Sequence, residues 1–273
     1  MTHAKKALAT IDASHEARIM AKRAFSLTDA ELSLRKDEEV PKEASQIFLG
    51  MLAERLNGRP LQHILGEWEF YGLPVKVKEG VLIPRFDTEL AAKRAIEHIV
   101  ETNAQSALDI CCGSGCIAVA MAVKTNAAIT ASDISPAALA LTRENAELNG
   151  ASERIYIVES DMFAGISGKF DLIVSNPPYI PIGDIALLDE EVKDHEPLTA
   201  LCGGSEGLDF YRIIAKEAPK HLKNRGKLVL EVGINQAAAV SQILSEAGFN
   251  NITVSHDLSG VERVVEGIFS EDK

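Results

Sequence analysis

Apolar positions change their period along this chain, and each change marks a new kind of structure. Between residues 4 and 58 they recur near every 3.6 residues: Ala17, Ile19, Met20, Ala24, Phe25 and Leu27, then Ile47, Phe48, Met51, Leu52 and Leu56. That spacing predicts a small bundle of helices, each burying one stripe. Thr28 followed by Glu31 forms a capping box for a short helix through Leu34, and Pro41 and Gly58 bracket a longer one. From Leu61 to Pro84 the period falls to two. The run EWEFYGLPVKVKEGVLIP, broken at Gly72, Pro74 and Gly80, predicts a β-hairpin connector. Asp87 or Thr88 then caps a helix to about Val100. Arg85 either pairs with Glu89 at the surface or lines a site at this corner.

From Ser106 onward short apolar runs alternate with helical segments. ALDIC, AAITASD, RIYIVES, FDLIVS and KLVLEVG read as strands, with helices from Cys116, Pro136, Asp209 and Gln236. Such alternation predicts an α/β fold with a mostly parallel sheet covered on both faces. The last two runs, NITVSHD and VERVVEGIF, are joined by Leu258-Ser259-Gly260, a link short enough to make them antiparallel. The expected division is 1–60 helical, 61–85 hairpin linker and 86–273 sheet domain. Helical pattern alone leaves two roles open for the first part, stability or docking of a partner.

Composition narrows the classes. The 273 residues are 46% hydrophobic with a net charge of −12, an ordinary globular profile whose acidic balance favours a small-molecule or protein partner, or one with its own basic patch, over duplex nucleic acid, whose binders usually show a basic face. No apolar run reaches the roughly 20 residues of a membrane span, and the first residues carry no signal-peptide pattern. Cys111, Cys112 and Cys116 lack C-x-x-C spacing, so they and Cys202 read as reduced thiols of a cytoplasmic protein. His63, His195 and His256 have no ligand-spaced partners and read as surface or structural.

The candidate chemistry sits at strand ends. Asp109-Ile110-Cys111-Cys112-Gly113-Ser114-Gly115 is a strand-to-helix turn where glycine lets a ligand approach the backbone. Asp133 closes the next strand about 20 positions on, where an acidic residue can accept both ribose hydroxyls of an adenosine. Gly113-x-Gly115-x-x-Ala118 also fits a dinucleotide fingerprint, so this half leaves the cofactor open. The other half is Asn176-Pro177-Pro178-Tyr179, a loop stiffened by two prolines after a buried strand. An amide or exocyclic amine is a poor nucleophile because its lone pair is delocalised. The Asn176 side-chain oxygen and the Pro177 carbonyl can each take one N–H and turn the lone pair towards a methyl donor, with Tyr179 packed on the flat group. Hydride transfer has no use for these residues; methyl transfer from S-adenosyl-L-methionine does.

In these stretches the chain resembles the class I methyltransferases that modify planar nitrogens, and within them the peptide chain release factor glutamine-N5 methyltransferases. RPLQHILGEWEFYGL, GVLIPRFDTEL, LDICCGSGCIAVA, SDISPAALALTRENAELNG, FDLIVSNPPYIP, EPLTALCGGSEGLDFYR and GKLVLEVG carry the likeness over nearly the full length. The resemblance implies a Rossmann-like methyltransferase fold. It implies transfer of the methyl of S-adenosyl-L-methionine, leaving S-adenosyl-L-homocysteine, to the glutamine of a Gly-Gly-Gln loop in release factors. The partner is then a protein, with no direct nucleic acid or membrane contact, and the chain acts as a cytoplasmic monomer whose helical module docks the release factor. The implied cofactor residues are Asp109, Cys111, Cys112, Gly113, Ser114, Gly115, Asp133, Ile134, Asp161, Met162 and Asn176. Catalysis falls to Asn176, Pro177 and Tyr179, and substrate binding to these with Pro178, Arg85 and Glu89. Cys111 stands where many members have glycine, and the turn is expected to form without a positive φ there. Met162 replaces a frequent aromatic. Three rivals remain. A sister branch methylates a ribosomal large-subunit protein, and Ile83-Pro84-Arg85 before Asp87-Thr88-Glu89 favours the release-factor branch over it. A DNA adenine methyltransferase needs a basic groove for a flipped base. A non-catalytic binding module has no need of Asn176 with both prolines.

Overall fold

The computed structural model describes residues 13–35 and 37–271, so the start of the predicted helical stretch lies outside the described residues. Helices Ala13–Phe25, Asp29–Leu34, Lys42–Leu56 and Leu61–Leu65 form the bundle. The capping box is present: Glu31 N–H donates to Thr28 Oγ1 at 3.3 Å, and Thr28 N–H to Glu31 Oε2 at 2.8 Å. The bundle core is Ala17, Met20, Ala21, Ala24, Phe48 and Leu61. Only part of the predicted stripe on Lys42–Leu56 is covered. Phe48 is buried and Met51 and Leu52 half-buried, whereas Ile47 and Leu56 are 52% and 49% exposed. Among the described residues this helix finds its partners, such as Ala17, Met20 and Leu61, along one side only.

The hairpin is shorter than expected. Pro60 opens the Leu61–Leu65 helix and Gly66, at φ +71°, ends it, leaving the pair β1 (Glu67–Phe70) and β2 (Leu73–Lys76). Tyr71 and Gly72 both have positive φ, as a two-residue hairpin turn requires. Beyond Lys76 the chain runs to Arg85 without strand pairing.

The main sheet holds β3 (Ser106–Ile110), β4 (Ala128–Asp133), β5 (Ile155–Glu159), β6 (Phe170–Ser175), β7 (Leu222–Glu231), β8 (Phe249–His256) and β9 (Glu262–Phe269) in the order β5-β4-β3-β6-β7-β9-β8. β3 to β7 are parallel to their neighbours among themselves; β9 is antiparallel to β7 and β8. Alternate residues feed two cores. Leu172, Val174 and Val229 face the helices Glu89–Thr102 and Cys116–Lys124, while Ile173, Leu228 and Leu230 face Asp209–His221 and Ala237–Glu246. Burial on both faces is why these strands read as unbroken apolar runs. The strand order reverses between β3 and β6, which places a crevice at their carboxyl ends. No helix among the described residues is long and apolar enough to cross a membrane.

Arg55 ties the bundle to the segment after β6. This buried guanidinium holds Glu16 through two bonds of 2.9 and 3.0 Å and Glu191 at 2.6 Å.

Candidate active site

The loops after β3, β4, β5 and β6 line one cavity of about 410 Å³ at that crevice. Cys111 to Ser114, Asp133, Ile134, Asp161, Met162, Asn176 and Pro178 all reach it. The turn after β3 alternates its backbone sign, with Cys111 at φ +58°, Gly113 at +55° and Gly115 at +75°. The expectation of an ordinary φ at Cys111 is therefore corrected. The chain must reverse between the end of β3 and the helix start, and it uses the left-handed region there even with a side chain, at a cost of roughly 1–2 kcal/mol. Neighbouring bonds hold it: Cys112 N–H donates to Ser132 O at 3.0 Å, and Gly115 N–H to Cys112 O at 2.8 Å. Asn145, fully buried, donates to Ser114 O at 2.9 Å and Lys76 O at 3.2 Å while accepting from Lys76 N–H at 2.7 Å, so the hairpin and the glycine turn are pinned together.

Asp133 clasps the same turn. Its Oδ2 accepts from Gly113 N–H and its Oδ1 from Ser135 N–H, both at 2.9 Å. Each oxygen keeps lone-pair capacity for one hydroxyl more. A Cβ built at Gly113 meets nothing within 4 Å, so a ligand has open approach to that backbone. A cavity of this size, with a paired acceptor on one wall and thioether and thiol surface on another, fits an adenosine-bearing cofactor. Cys111 Sγ and Met162 Sδ, 3.9 Å apart, make the soft wall.

A second cavity of about 270 Å³ adjoins the first; Leu82, Arg85, Asn176 and Ala200 line both. Pro177 and Tyr179 line only the second. Asn176 stands in the partition, donating from Nδ2 to Thr88 Oγ1 at 3.2 Å. Ser175 Oγ donates to Ile110 O at 2.7 Å and Gln236 Nε2 to Tyr179 O at 2.9 Å, which fix the loop at both ends. Burial pushes the Tyr179 hydroxyl well above its usual range, so it stays protonated.

Residues 85–186 match the family model of the methyltransferase small domain, and residues 1–66 that of the PrmC N-terminal domain. Over 246 residues the chain is 43% identical to the release factor glutamine methyltransferase of Geobacter sulfurreducens, spanning 89% of this chain and 85% of that one. The chain belongs to the release factor glutamine methyltransferase family. The relative from Aquifex aeolicus with the same name is 36% identical over 92% of this chain and 89% of its own. The hMettl16 catalytic domain, solved with an RNA hairpin, is 19% identical with a TM-score of 0.61, covering 81% of this chain and 83% of that one; it shares the fold.

In this family member three predicted site residues lie elsewhere. The Glu89 carboxylate accepts from Tyr71 N–H at 2.7 Å and braces the hairpin turn; it does not line either cavity, because the turn's unpaired N–H captures it first. Asp109 sits behind the glycine turn, 1% exposed, accepting from Ala118 N–H at 3.0 Å; burial pushes its carboxyl up to about 8. Gly115 does not line the cavity: a Cβ there would stand 2.6 Å from Thr142 Cγ2, so it serves close packing. Arg85 does line both cavities, but its partner is Glu196 at 2.7 Å, not Glu89. The buried Glu196 also accepts from Ile83 N–H at 3.2 Å, which fastens the residues around Pro197 to Thr199 over the cavity. Thr88, which lines the first cavity and accepts from Asn176 Nδ2, entered the sequence reading by name only as a helix cap in a corner that either is surface or lines a site, and Glu196 only as the start of a loop over the site. The one signal for Glu196 was its place before a proline that opens a loop.

Proposed function

We propose that this chain transfers the methyl group of S-adenosyl-L-methionine to the side-chain amide nitrogen, N5, of a glutamine in a peptide chain release factor, the one in its Gly-Gly-Gln loop. The cofactor, when bound, supplies an electrophilic methyl on a sulfonium. Asp133 would hold its ribose hydroxyls, Cys111 to Ser114 its amino-acid end, and Asp161, Met162 and Ile134 its adenine side.

The observation that carries the reading is Asn176 in the partition between two cavities, with Nδ2 engaged by Thr88 and Oδ1 left to accept. An amide NH2 entering from the second cavity would give one N–H to Asn176 Oδ1 and the other to the Pro177 carbonyl. Both acceptors favour the nitrogen as it gains positive charge, and orientation removes the entropic part of the barrier. Tyr179 would flank the flat group with its ring. The helical module would contact the release factor, and the protein would work in the cytoplasm as a monomer.

The test is incubation of the full chain with labelled S-adenosyl-L-methionine and, in separate arms, a release factor, ribosomal large-subunit proteins and adenine-containing DNA. Label on one release-factor glutamine, lost when that residue is replaced by Asn, is the expected result. Label on ribosomal protein or DNA alone, or on nothing, refutes the proposal.

A further inference from the structure

Leu188 and Val192 line the second cavity beside Pro177 and Tyr179. The segment that carries them is made of short pieces, the 3-10 stretch Ile182–Leu187 and the single turn Glu190–Lys193, and neither piece holds a buried residue. Packing therefore holds it weakly. Among the described residues, 183–195 make hydrogen bonds only to one another and to Pro181 and Glu196 at their ends. Those ends are fixed. Ile182 N–H donates to Gly204 O at 2.9 Å, and the Glu196 carboxylate accepts from Ile83 and Arg85. Between them, among the described residues, one ion pair reaches the segment from outside: Arg55 Nη2 lies 2.6 Å from Glu191 Oε1.

The far side of this contact is stiff. The Arg55 side chain is 5% exposed. Its Nε and Nη2 donate to the two oxygens of Glu16, and its Nη1 donates to Arg59 O at 3.3 Å. Paired bonds to one carboxylate fix the plane of a guanidinium. Helices Ala13–Phe25 and Lys42–Leu56 thus set where Arg55 points. Glu191 follows it, one position before the cavity-lining Val192. Arg55 itself lines neither cavity.

We infer that Arg55 is a positioning residue for the substrate: held in the bundle, it fixes one wall of the second cavity through Glu191. This rests on the methyl-transfer reading above, in which that cavity admits the glutamine. The bundle then has a role besides stability and docking, because this wall is unanchored without it. The Glu191 side chain is 41% exposed, so the pair adds little to global stability. It acts instead on a segment whose own opening costs little, and there a small bias changes how often the wall is in place.

The experiment compares wild type, Glu191→Gln, Arg55→Gln, the double variant and Glu190→Gln. Trypsin reads the segment directly, since Lys193 is exposed and is the single lysine or arginine between Lys169 and Arg212. Cleavage after Lys193 in the folded chain follows the open population. Glu191→Gln should speed that cleavage by about fivefold and lower kcat/KM for a release factor by a similar factor, with S-adenosyl-L-homocysteine binding unchanged. The double variant should be cleaved no faster than Arg55→Gln, since both substitutions remove the same contact. Glu190→Gln removes a charge one position away from the contact and should match wild type. Glu191→Gln with wild-type cleavage, or Glu190→Gln with the same losses as Glu191→Gln, overturns the inference. Faster cleavage with unchanged kcat/KM makes the contact merely structural and overturns it too. If Arg55→Gln does not fold, Glu191→Gln and Glu190→Gln decide. A wild-type chain that leaves the release factor unmodified refutes the underlying function, whereas an active wild type with indistinguishable variants refutes only the role of Arg55.

Discussion

Gly113 and Gly115 stand two positions apart in the same turn, yet alanine should be tolerated at one and not at the other. Both have left-handed φ, +55° and +75°, so a side chain costs roughly 1–2 kcal/mol at either. At Gly113 nothing further is added, because no atom lies within 4 Å of the new Cβ. At Gly115 the Cβ would stand 2.6, 2.8 and 2.9 Å from Thr142 Cγ2, Oγ1 and Cβ. Thr142 is fully buried and donates to Gly113 O at 3.1 Å, so it cannot rotate away without losing that bond. Overpacking of this kind adds about 1–3 kcal/mol. Gly115→Ala should therefore cost about 2–5 kcal/mol and Gly113→Ala about 1–2, read from urea unfolding without cofactor. Adding Thr142→Ala to Gly115→Ala removes two of the three clashing atoms and should recover at least about 1 kcal/mol as a coupling energy. Gly113→Ala, whose Cβ enters the space next to the cavity, should instead lower affinity for S-adenosyl-L-homocysteine by about tenfold, or ~1.4 kcal/mol. Equal destabilisation by the two alanines, or strict additivity with Thr142→Ala, would falsify the packing role given to Gly115.

Asp133→Ala removes two acceptors that hold Gly113 and Ser135 N–H groups; calorimetry should show S-adenosyl-L-homocysteine binding weakened by at least about a hundredfold, ~2.7 kcal/mol, and undiminished binding would remove Asp133 from the cofactor site. Arg85→Ala strands the Glu196 carboxylate, whose side chain is 0% exposed while that of Arg85 is 38% exposed. Discounted for the exposed partner, the loss should be about 1–3 kcal/mol in chemical denaturation; Glu196→Gln added to it should restore part, and no restoration argues against a stranded charge. Asp109→Asn probes linkage. Burial raises the Asp109 carboxyl from an ordinary 3.8 to about 8, so the folded state keeps a proton that the unfolded state releases. Its contribution is full below the unfolded value and declines as pH rises towards 8, at no more than about 1.4 kcal/mol per pH unit. The stability of Asp109→Asn relative to wild type should therefore climb from pH 4 to 8, and a flat difference would show that Asp109 titrates normally.

Periodicity carried most of the fold into the sequence because the central strands β3 and β6 are buried on both faces and helices such as Glu89–Thr102 and Asp209–His221 on one. It failed where burial is partial. Ile47 and Leu56 share the spacing of Phe48 and Met51 but face outward, since spacing defines a stripe and not what covers it. The Leu61–Leu65 helix is a single turn, too short for any period to register, and only Pro60 and Gly66 mark it. Glu89 was misplaced for a related reason. Its neighbours in sequence do line the cavity, but a helix start turns successive side chains in different directions, and this one turns back to the Tyr71 N–H.

The site was readable where chemistry and local sequence coincide and unreadable where it depends on partners far along the chain. Asn176 with two prolines announces itself; its partner Thr88 lies 88 positions earlier, in a segment that otherwise looks like a helix start. Yet one regularity was available. The parallel strands β4 to β7 end in Asp133, Glu159, Ser175 and Glu231, polar residues closing apolar runs at one edge of the sheet. At that edge the backbone leaves its ladder and side chains meet the crevice, so a polar group there has a cavity or a loop to serve. Spacing from the glycine turn singled out Asp133 alone. Glu231 occupies the equivalent place in the strand next to the Asn176 loop, and its near-complete burial is the physical reason to look for its partner. A carboxylate so placed costs several kcal/mol unless hydrogen bonds satisfy it. Burial accordingly pushes the Glu231 carboxyl up to about 7, and its Oε2 finds no partner among the described residues, whereas Thr88, in the segment before the first long helix of the sheet domain, does meet the Asn176 amide.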